Sequence, residues 1–176
     1  DNAEDQYNKA LSYDSTFGQA YLGLAEIYID KNISTEYLSG NYLDRALELI
    51  NKALSYDNTL ADAYLLRGEY YIENGYNELA LKEYDKALDI NPNLWQAYRE
   101  KAALYSYEDL AFGIDNLYKA ISLNKGRELP DLLGAMAFQY AGAGFYEMAR
   151  NYFQQKLNLD RDSVWFSFGL CINALW

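Results

Sequence analysis

Paired carboxylates are the side chains of this chain that could do chemistry. Glu69 and Glu73 stand four residues apart, which places both carboxyl groups on one face of a helix. Two acids at close range can cleave a glycosidic bond when one of them is kept protonated. Acids at this spacing are more often solvated charges on a helix surface, and we favour that interpretation for this pair.

The other usual catalytic groups are missing from the sequence. The chain has no histidine, which excludes serine–histidine–aspartate triads, cysteine–histidine pairs and histidine metal sites within it. The single cysteine, Cys171, stands in an apolar stretch that favours core packing. Glycine-rich phosphate loops and calcium-loop spacings are absent as well. The sequence therefore predicts a protein that is not an enzyme and that holds no cofactor or metal ion.

The charge of the chain argues against nucleic acid as a partner. Its 26 acidic and 15 basic residues give a formal net charge of −11, and no basic run is present. Nucleic-acid affinity depends on clusters of Lys and Arg that displace counterions. No run of about 18 or more uncharged apolar residues is present to span a membrane. One cysteine cannot form an internal disulfide, so we expect a reducing, cytoplasmic setting.

A phrase that recurs along the chain indicates which elements must position these residues. The phrase KALSYD at 52–57 is present also at 9–14 and, with substitutions, at 86–91 and 119–124. Repeat units of this size leave an apolar face uncovered until a neighbour stacks on it. The period therefore predicts an array of helical repeats with a long surface for binding another molecule.

Within one period, small and aromatic residues follow a helical spacing. Tyr64, Gly68 and Tyr71 are four and then three residues apart, so they share one helix face, where the small residue lets another helix approach. The equivalent positions of the other periods are Tyr21, Ala25 and Tyr28, then Tyr98, Ala102 and Tyr105, then Leu133, Ala137 and Tyr140.

Together with Ala80, Tyr84, Ala87 and Pro92, this set resembles the tetratricopeptide repeat, a helix–turn–helix unit of about 34 residues. Arg67 departs from the pattern, because it stands before the glycine, where that family usually has Leu. The resemblance implies an all-α fold, a right-handed superhelical solenoid of antiparallel helix pairs. We expect one solenoid domain with these parts: the second helix of a truncated upstream repeat (1–17), repeat 1 (18–60), repeat 2 (61–94), repeat 3 (95–129), repeat 4 (130–163) and the first helix of an incomplete repeat (164–176).

Gly75 and Gly144 mark predicted turns between paired helices. Each stands where the first helix of a pair must end, and glycine enters left-handed backbone conformations without a penalty. After the first of these turns, we expect the side chain of Asn77 to cap the next helix.

The first repeat is longer than the others. From Tyr28 to Ala46 there are 18 residues, whereas the equivalent stretch from Tyr71 to Ala80 takes 9, which predicts a nine-residue insertion within 31–42. The insertion is either a specificity loop over the binding face or a longer surface loop that the fold tolerates. The small entropic cost of longer loops favours the second interpretation.

Both ends of the chain have the pattern of incomplete repeats, so we expect a segment of a longer protein. The stretch 164–176 is apolar nearly all round, whereas a terminal repeat needs a polar outer face. Residues beyond 176, a second copy of the chain or another partner would have to cover it, and we favour the first. Four large side chains mark this possible self-association interface: Trp165, Phe168, Ile172 and Trp176.

In proteins of the resembled family, a second stripe of the first helices lines a concave groove. Chaperone-tail binders of that family clamp a terminal carboxylate there with Lys and Asn, whereas this chain has Leu and Glu at the comparable places, so that activity is not expected. The stripe also runs through Asp62, Asp131 and Gly134. The residues predicted to bind a partner are Leu22, Glu26, Ile29, Asp30, Leu65, Glu69, Ile72, Glu73, Arg99, Tyr107 and Phe138.

An acidic groove favours a basic or neutral guest. We expect a protein or peptide partner with Lys or Arg facing the acids and an apolar anchor facing Phe138, bound by a scaffold segment of a larger regulatory or signalling protein. In the competing interpretation the acids only keep the chain soluble. The 19 tyrosines leave a further alternative, a carbohydrate-binding or envelope-associated repeat protein, although most of them fall in packing positions.

Overall fold

The computed structural model of the chain describes residues 3–34, 41–105 and 109–160, and most of these residues are helical. These ranges contain nine α-helices and no strand. They divide into two compact units, Asp1–Pro92 (unit 1) and Asn93–Trp176 (unit 2), and the single solenoid domain stays a prediction. Unit 1 holds α1 (Ala3–Tyr13), α2 (Gly18–Ser34), α3 (Tyr42–Tyr56), α4 (Ala61–Glu73) and α5 (Asn77–Ile90), and unit 2 holds α6 (Trp95–Tyr105), α7 (Leu110–Leu123), α8 (Leu129–Gly142) and α9 (Tyr146–Leu159).

The helices pack as consecutive pairs, because small residues stand opposite large ones. In the pair α4 and α5, a Cβ atom at Gly68 would come within 2.3 Å of Cε1 of Tyr84, whose side chain is fully buried. In the same way, the ring of Tyr7 in α1 lies against Gly23 of α2. A larger residue at either glycine would collide with an aromatic ring, so these positions set how closely the two helices approach.

In three helix pairs, the lysine of the repeated phrase covers the first aromatic ring of the pair. The Nζ atom of Lys52 lies 4.7 Å from the ring centroid of Tyr21 in unit 1. The same contact recurs at 5.8 Å between Lys86 and Tyr64. In unit 2 it recurs at 5.3 Å between Lys119 and Tyr98. A cation over an aromatic face is attracted to the ring. This contact explains why a lysine recurs at the start of the repeated phrase.

Both predicted glycine turns are confirmed, and the predicted cap is wrong. Gly75 and Gly144 have φ angles of +77° and +82°. Helix α5 begins at Asn77 itself, and its N-cap is Tyr76, whose side chain makes no capping hydrogen bond. The backbone carbonyl of Tyr76 accepts from the N–H groups of Leu79 and Ala80 instead. The helix therefore starts one residue earlier than a cap at Asn77 requires.

Part of the predicted insertion extends α2. This helix has 17 residues, against 13 in α4, and it continues to Ser34, whereas residues 35–40 lie outside the described ranges. Lys31, in the added turn, donates to Glu4 of α1 at 2.6 Å. Tyr28, which precedes that turn, donates to the same carboxylate at 3.2 Å. The hydrogen bond from Lys31 lowers the pKa of Glu4. The longer α2 thus holds the first helix of the chain.

Unit 2 has a core of small and aliphatic residues from all four helices, and a group of hydroxyls at one side. The Tyr152 hydroxyl donates to Tyr118 at 2.8 Å, and the hydroxyl oxygens of Tyr118 and Tyr140 are 3.5 Å apart. The hydrogen bond with Tyr118 raises the pKa of Tyr140 to about 12. Hydrogen bonds with both neighbours lower the pKa of Tyr118, which is the most exposed of the three.

Candidate functional site

The acidic residues predicted to face a partner come together on α2 and α4 of unit 1. Glu26 and Asp30 are one turn apart on α2, and Asp62 lies in the first turn of α4. Partial burial raises the pKa of Glu26, and the negative charges of Asp62 and then Asp30 raise it further. Glu26 is nevertheless exposed to solvent. We call Glu26, Asp30 and Asp62 the acidic face.

The other two predicted acids follow on α4. Glu73 is exposed in its last turn, and Glu69 is half-buried one turn earlier. They extend the negative side of unit 1 along the helix that carries Asp62.

Three of the predicted aliphatic members are buried, which corrects the expectation of an open aliphatic surface. Leu22 and Ile29 are each 5% exposed and belong to the core cluster that includes Ala63 and Leu66 of α4. Leu65 is 6% exposed. Residues of both α3 and α4 belong to that cluster, so packing of α2 against these two helices covers Leu22 and Ile29. Ile72 remains half-buried.

Unit 2 contributes one exposed aromatic and one exposed cation from the prediction. Phe138 of α8 is 38% exposed, and its ring meets that of Phe153 edge to face at 5.3 Å. Arg99 of α6 is half exposed and pairs with the adjacent Glu100. Tyr107 lies outside the described residues.

An ion pair in unit 2 escaped the sequence analysis. Lys156 of α9 occupies the position that is alanine in the earlier periods, and it is 4% exposed. Its Cδ lies 3.2 Å from the place that a Cβ of Gly134 would take, and its Nζ is 3.0 Å from Oδ1 of Asp131. The missing side chain of Gly134 thus leaves the space through which the lysine reaches α8. The sequence did contain a signal for this ion pair, because Gly134 and the unusual Lys156 occur together in the same repeat.

A second missed pair explains the departure of Arg67 from the family pattern. Its Nε and Nη2 atoms donate to Oε2 of Glu83 at 2.9 and 2.7 Å, and Glu83 is 7% exposed. Lys86 donates to the other carboxylate oxygen at 2.8 Å. The Nη1 atom of Arg67 donates to Asn51 of α3 at 3.1 Å. Arg67 thus connects α4 with both α5 and α3.

The predicted terminal interface lies outside the described residues, and the described residues contain neither a membrane-spanning helix nor a metal site. Trp165, Phe168, Ile172, Trp176 and Cys171 fall in 161–176, so the terminal interface stays a prediction. In the ranges that are described, no helix is long and apolar enough to cross a membrane. No group of acids or cysteines within those same ranges has the arrangement of a metal site.

The negative charge of the chain is concentrated in one unit. Unit 1 holds 17 acidic and 7 basic residues, a formal charge of −10, whereas unit 2 holds 9 and 8, a formal charge of −1. The acidic face therefore lies in a strongly negative unit, and Phe138 lies in a nearly neutral one.

Helix pairs that interlock at a fixed period and carry exposed charged and aromatic side chains define the class of helical-repeat scaffolds. The family model described as "Tetratricopeptide repeat" matches residues 61–94, and the resemblance seen in the sequence is thereby confirmed. Proteins built from these repeats are generally non-catalytic scaffolds, so the fold supports a role in protein–protein interaction. No curated protein matches the chain by sequence.

Solved structures share the fold at low sequence identity. The crystal structure of MamA is 23% identical, covers 88% of this chain and 85% of its own, and has a TM-score of 0.65. TTC0263, a thermophilic tetratricopeptide-repeat protein of Thermus thermophilus, is 17% identical, with coverages of 97% and 89% and a TM-score of 0.76. YrrB, described as a tetratricopeptide-repeat protein with an unusual peptide-binding site, is 20% identical, with coverages of 97% and 81% and a TM-score of 0.63. These likenesses confirm the predicted all-α repeat fold.

Proposed function

We propose that the chain is a protein-interaction scaffold that binds a basic stretch of a partner protein on the acidic face of unit 1. The observation that supports this is the grouping of Glu26 and Asp30 on α2 with Asp62 on α4. In agreement with that grouping, burial and the charges of Asp62 and Asp30 raise the pKa of Glu26. Carboxylates that repel one another gain stability when a cation enters between them. A Lys or Arg side chain of a partner is the cation that a protein surface of this kind receives.

The distribution of charge supports the same guest. A unit with a formal charge of −10 attracts a basic segment over several ångströms, which increases the rate of encounter at low salt. Acids that only keep a chain soluble need not be grouped, whereas Asp62 and Asp30 lie close enough to Glu26 for their charges to raise its pKa. This argument favours a binding role for the acidic face over the solubility interpretation.

The apolar anchor is a separate part of the proposal. Phe138 offers an exposed ring edge on α8, in the unit that is nearly neutral. YrrB carries a peptide-binding site on the same fold, which supports by analogy a peptide as the guest. A regulatory or signalling parent protein and a cytoplasmic location remain our proposals for its setting, and fractionation of the source cells would test the location.

A pair of charge-neutralised variants tests the acidic face. The double variant Glu26→Gln/Asp62→Asn should bind a fluorescent peptide of alternating Lys and Ala about fivefold more weakly, because two exposed ion pairs contribute about 1 kcal/mol together. Fluorescence anisotropy at low salt measures the affinity. A peptide of alternating Glu and Ala should not bind either protein.

The matched control removes the same number of charges elsewhere in unit 1. Glu48 and Asp89 are exposed acids of α3 and α5, and Glu48→Gln/Asp89→Asn should change the affinity for the lysine peptide much less. Equal losses in the two double variants would mean that only net charge attracts the peptide, and the acidic face would then be no site.

Carbohydrate binding is the alternative, and exposed tyrosine rings favour it. Tyr13 is 81% exposed and Tyr76 is 56% exposed, and such rings can stack on sugars. We rank it second because the repeat tyrosines, such as Tyr21 and Tyr64, are occupied by lysine contacts. Binding of the chain to a glycan panel, lost in Tyr76→Ala, would reverse this order.

A further inference from the structure

The hydroxyl of Tyr118 on α7 belongs to an exposed side chain and is also held by two other hydroxyls. Tyr152 of α9 donates to its oxygen at 2.8 Å, and the hydroxyl oxygen of Tyr140 of α8 lies 3.5 Å away. Tyr118 is 47% exposed, whereas Tyr140 is 9% exposed and Tyr152 is half-buried. We call these three side chains the tyrosine cluster. It shares no residue with the acidic face or with the stripe predicted to bind a partner.

Ring contacts hold the two neighbouring hydroxyls in place at Tyr118. The rings of Tyr140 and Tyr152 are stacked, with centroids 5.6 Å apart and an angle of 12° between their planes. The ring of Tyr118 meets that of Tyr152 edge to face at 6.4 Å. Phe145 meets Tyr140 edge to face as well, also at 6.4 Å. Because a tyrosine has few rotatable bonds, these contacts place both hydroxyls before any charge develops on Tyr118.

The arrangement favours the phenolate form of Tyr118. An oxygen that accepts hydrogen bonds carries a negative charge more readily than one that does not. Hydrogen bonds with Tyr140 and then Tyr152 lower the pKa of Tyr118. Burial, followed by the hydrogen bond with Tyr118, raises the pKa of Tyr152, which therefore keeps the proton that it donates. The most exposed member of the tyrosine cluster is thus the first to ionise.

The charges near Tyr118 favour an uncharged reagent over a polyanionic one. Asp115 lies one turn earlier on α7 and is exposed. Lys119, the adjacent cation, lies over the ring of Tyr98 at 5.3 Å. A phosphoryl donor brings several negative charges to a chain whose own formal charge is −11, and it would need cations at the reacting oxygen. The carbonyl carbon of a neutral acyl donor has no such requirement.

We propose that Tyr118 is a site of covalent O-acylation, at which its phenolate attacks the carbonyl carbon of an activated, uncharged acyl donor. A bond forms between the phenolic oxygen and the carbonyl carbon, and the bond between that carbon and the leaving group breaks. The proton of Tyr118 passes to solvent, and the leaving group takes up a proton as it departs. Tyr140 and Tyr152 are positioning residues, because they act through the oxygen of Tyr118. This chemistry goes beyond the proposed role as a scaffold and does not depend on it.

Limited acetylation of the full chain with N-acetylimidazole at neutral pH tests the assignment. Tandem mass spectrometry of the digested chain locates the tyrosine esters, and hydroxylamine should remove them. Tyr118 should react about threefold faster than Tyr13, since hydrogen bonds to a charged oxygen are the stronger ones and its lower basicity offsets part of this gain. Tyr13 is 81% exposed, so labelling by exposure alone would reverse the order. Faster acetylation of Tyr13 would overturn the proposal.

Removal of one hydroxyl at a time separates activation from packing. Tyr152→Phe keeps the ring that stacks on Tyr140 but removes the short hydrogen bond to Tyr118. Acetylation of Tyr118 should become about threefold slower, and Tyr140→Phe should slow it as well. The control Tyr98→Phe removes a hydroxyl from α6 of the same unit and should leave the rate unchanged. An unchanged rate in Tyr152→Phe, or equal losses in all three variants, would contradict activation by the tyrosine cluster.

The pH profile is a readout that packing alone would not move. In the native chain the rate at Tyr118 should rise with pH and level off below pH 10, near which an ordinary tyrosine ionises. In Tyr152→Phe the levelling should move to higher pH. A slower reaction with an unmoved profile would mean that Tyr152 governs only access to Tyr118, and activation would be rejected. Tyr118→Phe should bind the lysine peptide as the native chain does, so the acidic face and the tyrosine cluster can fail separately.

Discussion

Glu26 shows how a single residue couples the acidic face to the stability of unit 1. Its pKa is raised in the folded chain by burial, and then by Asp62 and Asp30. The folded state therefore binds the proton of Glu26 more tightly than the unfolded chain does. It follows that the free energy of unfolding decreases as the pH rises from the unfolded pKa through the folded pKa of this carboxyl.

Replacing this carboxyl should stabilise the protein at neutral pH. We expect Glu26→Gln to increase the free energy of unfolding at pH 7 by about 0.2–0.5 kcal/mol, the size of a repulsive pair one helical turn apart. Near pH 4, where the folded-state carboxyl is largely protonated, most of the gain should disappear. Urea denaturation at both pH values measures the difference. A gain of equal size at both, or the same gain in Glu48→Gln, would contradict the electrostatic explanation.

At the scale of elements, Arg67 and Glu83 connect three helices through a largely buried ion pair. The side chains of Arg67 and Glu83 are 18% and 9% exposed, and Asn51 of α3 adds a third partner. Removal of one member of such a pair leaves a buried charge without its main counterion, whereas an apolar pair of similar volume in its place is often neutral.

A double-mutant cycle on this pair should be strongly non-additive. Arg67→Met or Glu83→Leu alone should cost about 3 kcal/mol, because each leaves its partner charge buried. The double variant Arg67→Met/Glu83→Leu should recover most of that loss, since two apolar chains then fill the site. Denaturant midpoints of the four proteins give the coupling energy, and additive losses would refute a direct pairing.

The sequence predicts the helix pairs well, because local patterns determine them. The spacing of Tyr64, Gly68 and Tyr71 identifies an interlocking helix, and Gly75 and Gly144 identify turns that need a positive φ. These features depend on residues close together in the chain. The cap at Asn77 was wrong because a backbone carbonyl can start a helix as well as an amide side chain does.

The partner-facing residues are harder to predict, because they depend on contacts between distant parts of the chain. Leu22 and Ile29 lie on the predicted stripe, yet packing of α2 against α3 and α4 buries them. Glu83 is a charged residue that a helical pattern places in solvent, whereas Lys156 stands in a position that is alanine in the earlier periods. Their partners stand 16 and 25 residues away, and only the packed structure shows which partner each charge meets.

For the whole molecule, the main feature is the unequal charge of the two units. Unit 1 has a formal charge of −10 and unit 2 of −1. Repulsion among like charges opposes compact structure, and salt screens it. Raising the ionic strength from about 0.01 M to 0.15 M shortens the screening length from about 30 Å to about 8 Å.

Salt should therefore protect the two units unequally. In hydrogen exchange measured by mass spectrometry on the full chain, the amides of α3, α4 and α5 should exchange more slowly at the higher ionic strength. Those of α7, α8 and α9 should change little. The same change in both units would show that the difference in formal charge does not govern their stability.

The contact of Lys156 with Gly134 limits how the repeats could be recombined. In the earlier helix pairs a lysine of the phrase lies over a tyrosine, whereas in α9 the lysine stands one position later and passes through the space left by glycine in α8. A chimera that takes α8 from this pair and the second helix from another would leave a void beside Gly134, and the reverse exchange would force a lysine against Leu22, Leu65 or Arg99. The interchangeable module of this protein is therefore the matched pair α8–α9, and the single helix is too small a part to exchange.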